Sequence, residues 1–429
     1  MSKKTKNEVD SLREKLVSGS FVNEDGSEIT STTENLKIES EADFDEVAIA
    51  GFLDDFQSGP AKEYRIMVPS SFAENPYNAY LYGIARNDTG VYYIIEVNEQ
   101  QVDSQFALIG TVGACADGMD VYGSIKEGKL YFSTVEDSIS LRIEKYDTVT
   151  KLFSRNTGLL ESSWMLSKWA VIVGCGSVGS LVAMELARSG VGNFVLIDTD
   201  KLEMHNICRH QCGFDDLGRY KVDAVKDKVK NINPWANVIT YTSIIQDIPE
   251  EELHQYLGKD SIIIGCGDNR GSSNWSCNLA IKTGSAFLTT SCWTRAYAGE
   301  IFYWMPEKNW PCYNCALGKI SSTDRPESHA TYFGEEEDMN NLAFEPGVSV
   351  DIDFVTTIAL KLCLDIINRH NQEYTPRVIN YLTQYTLVCN TNEPKIGGKM
   401  ARIFSYPLQV THNLYFEKKT DCPYCNSEK

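Results

Sequence analysis

The sequence predicts an α/β protein: a domain built on a mainly parallel sheet over residues 151–429, preceded by a smaller α+β domain over 46–150. Three features lead there. After residue 151, short β-branched runs alternate with stretches of helical periodicity. A glycine-rich turn joins the first of those strands to the first of those helices. Before residue 151, apolar runs of strand length are separated by turn residues and no long helical stripe intervenes.

Taken in order, residues 1–45 are rich in Lys, Glu, Ser, Thr and Asn and poor in aromatics. They read as a flexible segment with a short helix over Val9–Val17. Strands are expected at Tyr64–Val68, Tyr80–Ala85, Val91–Val97 and Lys129–Thr134, with Asn87-Asp88-Thr89-Gly90 as a hairpin turn. In the second domain Trp169–Val173 reads as a buried strand. Val178–Ser189 reads as a helix with Val178, Leu181, Val182 and Leu186 on one face, stopped by Gly190. Strands follow at Phe194–Asp198, Val238–Ile244, Ser261–Gly265, Ala286–Thr290 and Glu300–Trp304, and helices at Lys221–Ile232 and Ile352–Asn368. The polar, acidic stretch Gly318–Glu345 reads as a solvated loop or a lid over a groove.

Composition narrows the function classes. The chain has 429 residues, 42% hydrophobic and 23% charged, as in an ordinary globular protein. Its net charge of −19 argues against a nucleic-acid surface. No run approaches the ~18 apolar residues of a membrane span. The polar first residues carry no apolar signal core, so a cytoplasmic location is expected. Thirteen cysteines, an odd number, speak against a disulfide framework. Cys175, Cys266, Cys277 and Cys363 lie in apolar patterns and read as core.

Gly174-Cys175-Gly176-Ser177-Val178-Gly179 follows a strand and opens a helix, the context that a phosphate-binding turn needs. Glycine lets the backbone bend tightly and approach a phosphate, and the helix N-terminus offers N–H donors. Asp198 ends the next strand, where a carboxylate accepts hydrogen bonds from ribose hydroxyls. So far NAD and ATP are equally good ligands, and a hydride-transferring oxidoreductase is a live alternative.

The residues that follow separate the two. After Asp198-Thr199-Asp200 come Asn206-Ile207-Cys208-Arg209, then Lys221 opening a helix, then Gly267-Asp268-Asn269 after a strand. In this order they resemble the ThiF/MoeB/HesA superfamily, the adenylating core of ubiquitin-activating enzymes, over about residues 151–429. The resemblance implies a Rossmann-like adenylation domain that uses ATP, magnesium and a structural zinc ion. By position, Gly174, Gly176 and Gly179 match the nucleotide loop and Asp198 the ribose-binding acid, with Asp200 and Asn269 beside the nucleotide. Asn206 and Arg209 match the residues on the triphosphate, Lys221 the phosphate lysine, and Asp268 the magnesium carboxylate. Phe153-Ser154-Arg155-Asn156 is similar to the segment whose Arg reaches the neighbouring subunit's ATP, which implies a homodimer with Arg155 acting in trans.

These residue types suit the chemistry. A carboxylate attacking the α-phosphate of ATP brings two anions together, and fixed cations with magnesium neutralise the charge that develops. No general base is needed, because a carboxylate is already ionised at neutral pH. His205 and His210, flanking the motif, therefore read as structural or surface residues.

Cys312-Tyr313-Asn314-Cys315 and Cys422-Pro423-Tyr424-Cys425 have knuckle spacing, and four thiolates suit a tetrahedral zinc ion, free surface thiols being the alternative. MoeB-like proteins carry one pair after the central strands and one near the C-terminus, so the resemblance implies that zinc pins the tail to the core. The sequence departs from the family at the crossover loop. Where many members carry a thioester-forming Cys before Gly-Val, here Ala343 stands ahead of Gly347-Val348, and no Cys occurs between Ala316 and Leu362. Either the chain only adenylates, or another thiol serves, Cys292 being the first candidate.

The leading reading is activation of the C-terminal carboxylate of a ubiquitin-like or sulfur-carrier protein, with a conjugating-enzyme or sulfur-transfer partner downstream. A peptide or a carboxylated tRNA base is the alternative within the family. An NAD-dependent oxidoreductase leaves Arg209, Lys221 and the cysteine pairs unexplained. Intact Arg209, Lys221 and Asp268 speak against a non-catalytic scaffold.

Overall fold

The computed structural model describes residues 62–114, 118–267, 269–293, 296–317, 347–390, 411–422 and 424–425. The expected segment 1–45 with its helix, the stretch Gly318–Glu345 with Ala343, and Asp268 all lie outside the described residues. The chain divides into two units, Met1–Tyr146 and Asp147–Lys429.

In the first unit seven strands close into a barrel of order β1-β3-β2-β4-β5-β6-β7. They are β1 (Arg65–Pro69), β2 (Ala79–Arg86), β3 (Val91–Asn98), β4 (Ala107–Val112), β5 (Val121–Lys126), β6 (Lys129–Thr134) and β7 (Ser140–Tyr146). β7 closes on β1 in parallel register, Arg142 opposite Arg65. Alternate residues point inward, so Ile66, Val68, Leu81, Ile94, Val121 and Phe132 form a core of their own. The Asn87–Gly90 turn is present, with Gly90 at φ +71°. Apart from the five-residue helix Ser70–Glu74 the described barrel is all strand. β4, β5 and β7 were not foreseen because Gly110, Gly123 and charged positions dilute their alternation.

The second unit holds an eight-stranded sheet of order β10-β9-β8-β11-β12-β13-β14-β15. Five strands, β8 (Trp169–Val173), β9 (Asn193–Ile197), β10 (Asn237–Tyr241), β11 (Ser261–Gly265) and β12 (Ala286–Trp293), run parallel. β13 (Ala298–Trp304), β14 (Tyr385–Cys389) and β15 (Thr411–Leu414) extend the sheet antiparallel. Both faces are covered, as the near-continuous apolar strands demand. One face packs on α1 (Ser177–Arg188), α2 (Lys221–Ile232) and α4 (Ser349–Ile367), around Ile172, Leu196, Ile264 and Leu288. The other packs on α3 (Arg270–Thr283), around Val171, Ile263, Phe287 and Phe302. α3 was not expected, because Arg-Gly-Ser-Ser-Asn opens it with no apolar stripe. Its Asn269 cap and the left-handed Gly284 that ends it are what delimit it. No helix among the described residues is long and apolar enough to cross a membrane.

Candidate nucleotide site and cysteine cluster

Register gathers the motifs. Val173, the last residue of β8, pairs with Ile197 of β9 on one side and Gly265 of β11 on the other. The glycine turn, Asp198 and the segment leading to Asn269 therefore leave the sheet at one edge, where the strand order reverses about β8. Open α/β sheets bind ligands at such a point.

The glycines have separate reasons to be glycine. Gly174 sits at φ +95°, and a Cβ there would lie 3.0 Å from the Gly267 nitrogen. A Cβ on Gly179 would lie 1.8 Å from the Gly174 carbonyl oxygen, so this contact brings helix and strand together. Gly176 has ordinary φ and nothing within 4 Å of its Cβ position. It is also the N-cap of α1, and no side chain caps the first N–H groups of that helix. An anion is the ligand that suits an uncapped helix N-terminus.

Asp198 organises this turn. Its Oδ2 accepts the Cys175 N–H at 2.7 Å and its Oδ1 the Asp200 N–H at 2.8 Å. Each oxygen keeps a lone pair for a further donor. Lys221, the first residue of α2, is buried at 8% exposure, and its Nζ meets Asp200 Oδ2 at 2.8 Å. The ammonium holds the Asp200 carboxyl below its usual range. Asn206 ends a short turn, Met204–Asn206, where its side-chain oxygen accepts the Glu203 N–H at 3.0 Å. Its carbonyl accepts the N–H groups of Arg209 and His210 at 3.0 and 2.9 Å, which sets Arg209 half-buried beside the site.

Other expected residues serve differently. The Asn269 side chain accepts from Gly271 and Ser272 N–H at 2.8 and 3.2 Å and caps α3. Arg155 is exposed, and its neighbour Asn156 bonds the Arg188 carbonyl at the far end of α1. Twelve residues of helix, about 18 Å, separate it from its own glycine turn, so it does not join this cluster. Cys175, Cys266 and Cys363 are buried as expected, and burial pushes their thiols up. Cys292 is half-buried against the α4 side of the core.

His210, which read as structural or surface, is structural: it is buried with both ring nitrogens engaged. One ion pair escaped the sequence reading. Arg270 meets the buried Glu300 of β13, which also accepts from Ser291 at 3.1 Å and from the Tyr385 hydroxyl at 2.6 Å. This brace ties the α3 N-terminus to the antiparallel strands. Arg270 and Glu300 have no sequence signal, because they are 30 residues apart and defined only by their pairing.

Cys312, Cys315, Cys422 and Cys425 present sulfurs that all lie within 4.8 Å of one another. Cys312 and Cys422 are 3.5 Å apart, as are Cys315 and Cys425, and the four are free thiols. A tetrahedral ion with bonds of about 2.3 Å sets its sulfurs about 3.8 Å apart. The cluster fits one such ion, and four sulfurs leave it no open position.

A family model described as the ThiF family matches residues 160–399, more than half of the chain. The chain belongs to the ThiF family. Among this ThiF-family chain's relatives, the sulfur carrier protein ThiS adenylyltransferase of Bacillus subtilis is 30% identical over 154 residues, 35% of this chain and 44% of that protein. The ubiquitin-like modifier-activating enzyme 5 of Caenorhabditis elegans is 30% identical over 161 residues, 34% of this chain and 37% of that one. The chain thus spans less than half the length of either. A crystal structure of E. coli MccB with MccA-N7isoASN superimposes with a TM-score of 0.45 at 19% identity, over 62% of this chain and 69% of that one.

Proposed function

We propose that this ThiF-family chain adenylates a carboxylate with ATP, and that the carboxylate is the C-terminus of a ubiquitin-like or sulfur-carrier protein. The observation that carries the reading is the convergence at one sheet edge of an uncapped, glycine-opened helix N-terminus, the Asp198 carboxylate and the buried Lys221. The relatives named for a sulfur carrier and a ubiquitin-like modifier support the choice of substrate class.

In this reading the α1 N-terminus and Gly176 receive a phosphate, and Asp198 takes the ribose hydroxyls. Lys221 swings from Asp200 to the phosphates, and Asn206 and Arg209 hold the triphosphate. Asp268 would hold magnesium, which would supply positive charge to offset that of the phosphates. The substrate carboxylate oxygen bonds to the α-phosphorus. The α–β bridging bond breaks, and pyrophosphate leaves with its electron pair. No proton moves, since the nucleophile is an anion. Arg155, held away from its own site, completes that of a second copy, and the cysteine cluster holds zinc as a structural staple. With no cysteine between Ala316 and Leu362, the acyl-adenylate itself is the product handed on.

Exchange of labelled pyrophosphate into ATP tests this, with Gly-Gly-ending ubiquitin-like proteins as substrates and Asp268→Ala as control. Exchange that requires one C-terminus and vanishes in the variant supports the reading. Exchange with a short peptide alone would move the substrate class, and tight NAD binding without exchange would replace the reaction.

A further inference from the structure

Cys175, between the first two glycines of the turn, has both of its backbone polar groups taken by side chains. Asp198 accepts its N–H at 2.7 Å, and His210 Nε2 lies 2.7 Å from its carbonyl oxygen. The other imidazole nitrogen, Nδ1, accepts the Cys212 N–H at 3.0 Å. A backbone N–H can only donate, so Nδ1 carries the lone pair and the proton sits on Nε2, which donates to Cys175. Beside it the Gln211 N–H reaches Ser180 Oγ, on the first turn of α1, at 3.3 Å. The segment that carries Asn206 and Arg209 is thus stapled once to the glycine turn and once to the helix it opens, and His210 is the buried staple.

We propose that His210 is a positioning residue of the nucleotide site: as neutral imidazole it holds the Arg209 segment and the glycine turn in register, and its protonation releases them. The proposal rests on the nucleotide reading above for its consequence, though not for the clamp itself. Protonation would put an N–H on Nδ1 facing the Cys212 N–H, so a hydrogen bond becomes a contact between two donors. The surroundings favour the neutral form. Burial opposes the charge most strongly, and Lys221 of α2 opposes it too. The Cys175 carbonyl favours it, with smaller help from Asp198 after β9 and Asp216 in the following turn, but burial prevails and the pKa lies below the ordinary 6.5. The folded site therefore binds fewer protons than a free imidazole. The clamp is intact above pH 6.5 and weakens as the pH falls toward the lowered folded value.

Amide hydrogen exchange followed by mass spectrometry, corrected for intrinsic rates, reads the clamp without any nucleotide. In His210→Ala we expect protection to fall about tenfold in peptides covering both 174–180 and 206–213, with the helix Glu250–His254 unchanged. His210→Gln, whose amide supplies one donor and one acceptor, restores protection to within about threefold. Lowering the pH from 7.5 to 5.5 loosens both segments in the wild type but not in His210→Gln. The dissociation constant for magnesium-ATP follows the same pattern, rising about tenfold in His210→Ala and rising with falling pH in the wild type but not in His210→Gln. Unchanged protection in His210→Ala, or the same pH profile for the wild type and His210→Gln, overturns the proposal. So does a loosened clamp with unaltered ATP affinity. A wild type that binds no ATP yet shows the exchange pattern instead removes the nucleotide reading and leaves the clamp standing. Should His210→Ala not fold, the wild-type and His210→Gln pH series still decide the matter.

Discussion

The Lys221 ammonium lies 2.8 Å from Asp200 Oδ2, and the Lys221 N–H donates to the Asp200 carbonyl at 2.9 Å. The two partners differ in exposure: the lysine side chain is 10% exposed and the aspartate 63%. In the proposed reading Lys221 exchanges this solvent-facing carboxylate for a phosphate, so the buried ammonium keeps an anionic partner in both states.

Removing the lysine should therefore act on nucleotide chemistry more than on folding. Lys221→Ala is expected to lower pyrophosphate exchange by about 100-fold or more, the loss typical of one preorganised electrostatic donor. Asp200→Ala, which removes the lysine's partner in this structure, should lose less than about tenfold. Similar losses from both substitutions, measured at saturating ATP, would assign Asp200 a direct role.

Gly179 and Gly176 should separate folding from binding. Gly179→Ala places a methyl 1.8 Å from the Gly174 carbonyl oxygen and is expected to destabilise by about 3 kcal/mol or more. Gly176→Ala meets no protein atom within 4 Å, so its stability should change by less than about 0.5 kcal/mol. Its magnesium-ATP affinity should nonetheless fall about tenfold, because the methyl points where a phosphate approaches. Denaturation midpoints and nucleotide titration on both variants check this pair of outcomes.

Arg270 and Glu300 form a brace in which Glu300 is buried at 5% exposure. Taking away the arginine leaves an uncompensated buried carboxylate, so Arg270→Met should destabilise by about 3 kcal/mol. Adding Glu300→Gln should recover part of that loss, since a neutral amide still accepts from the Tyr385 hydroxyl. A double-mutant cycle by urea denaturation measures the coupling, and a coupling near zero would remove the brace.

Metal analysis should find one zinc ion per chain, and Cys422→Ser should lower both zinc content and melting temperature. The cluster joins positions 110 residues apart, so its loss frees a long loop and releases the tail. A full complement of zinc in Cys422→Ser, or an unchanged melting temperature on chelation, would leave the cluster without a structural task.

Mixing Arg155→Ala with Arg209→Ala tests whether each site is completed by a second copy. Random pairing of two inactive chains gives about a quarter of the sites both arginines, and so about a quarter of wild-type activity. No recovery after refolding the mixture would remove the trans role of Arg155.

The alternation of buried strands and amphipathic helices after residue 151 was legible because fully apolar runs such as Ala170–Val173 and Ile262–Ile264 suit only a sheet covered on both faces. The glycine turn, Asp198, Lys221 and the cysteine pairs were legible because each depends on residue type at short spacing. The family and the cysteine knuckles could thus be read from the chain alone. Folding was needed to show that Val173 pairs with both Ile197 and Gly265, that the knuckles meet across 110 residues, and that Asn269 caps α3. It alone set His210 under Cys175 and Arg270 against Glu300. The physical reason is common to these cases: a hydrogen bond or ion pair between residues far apart in sequence has no local periodicity, and it exists only once packing has brought its partners within about 3 Å.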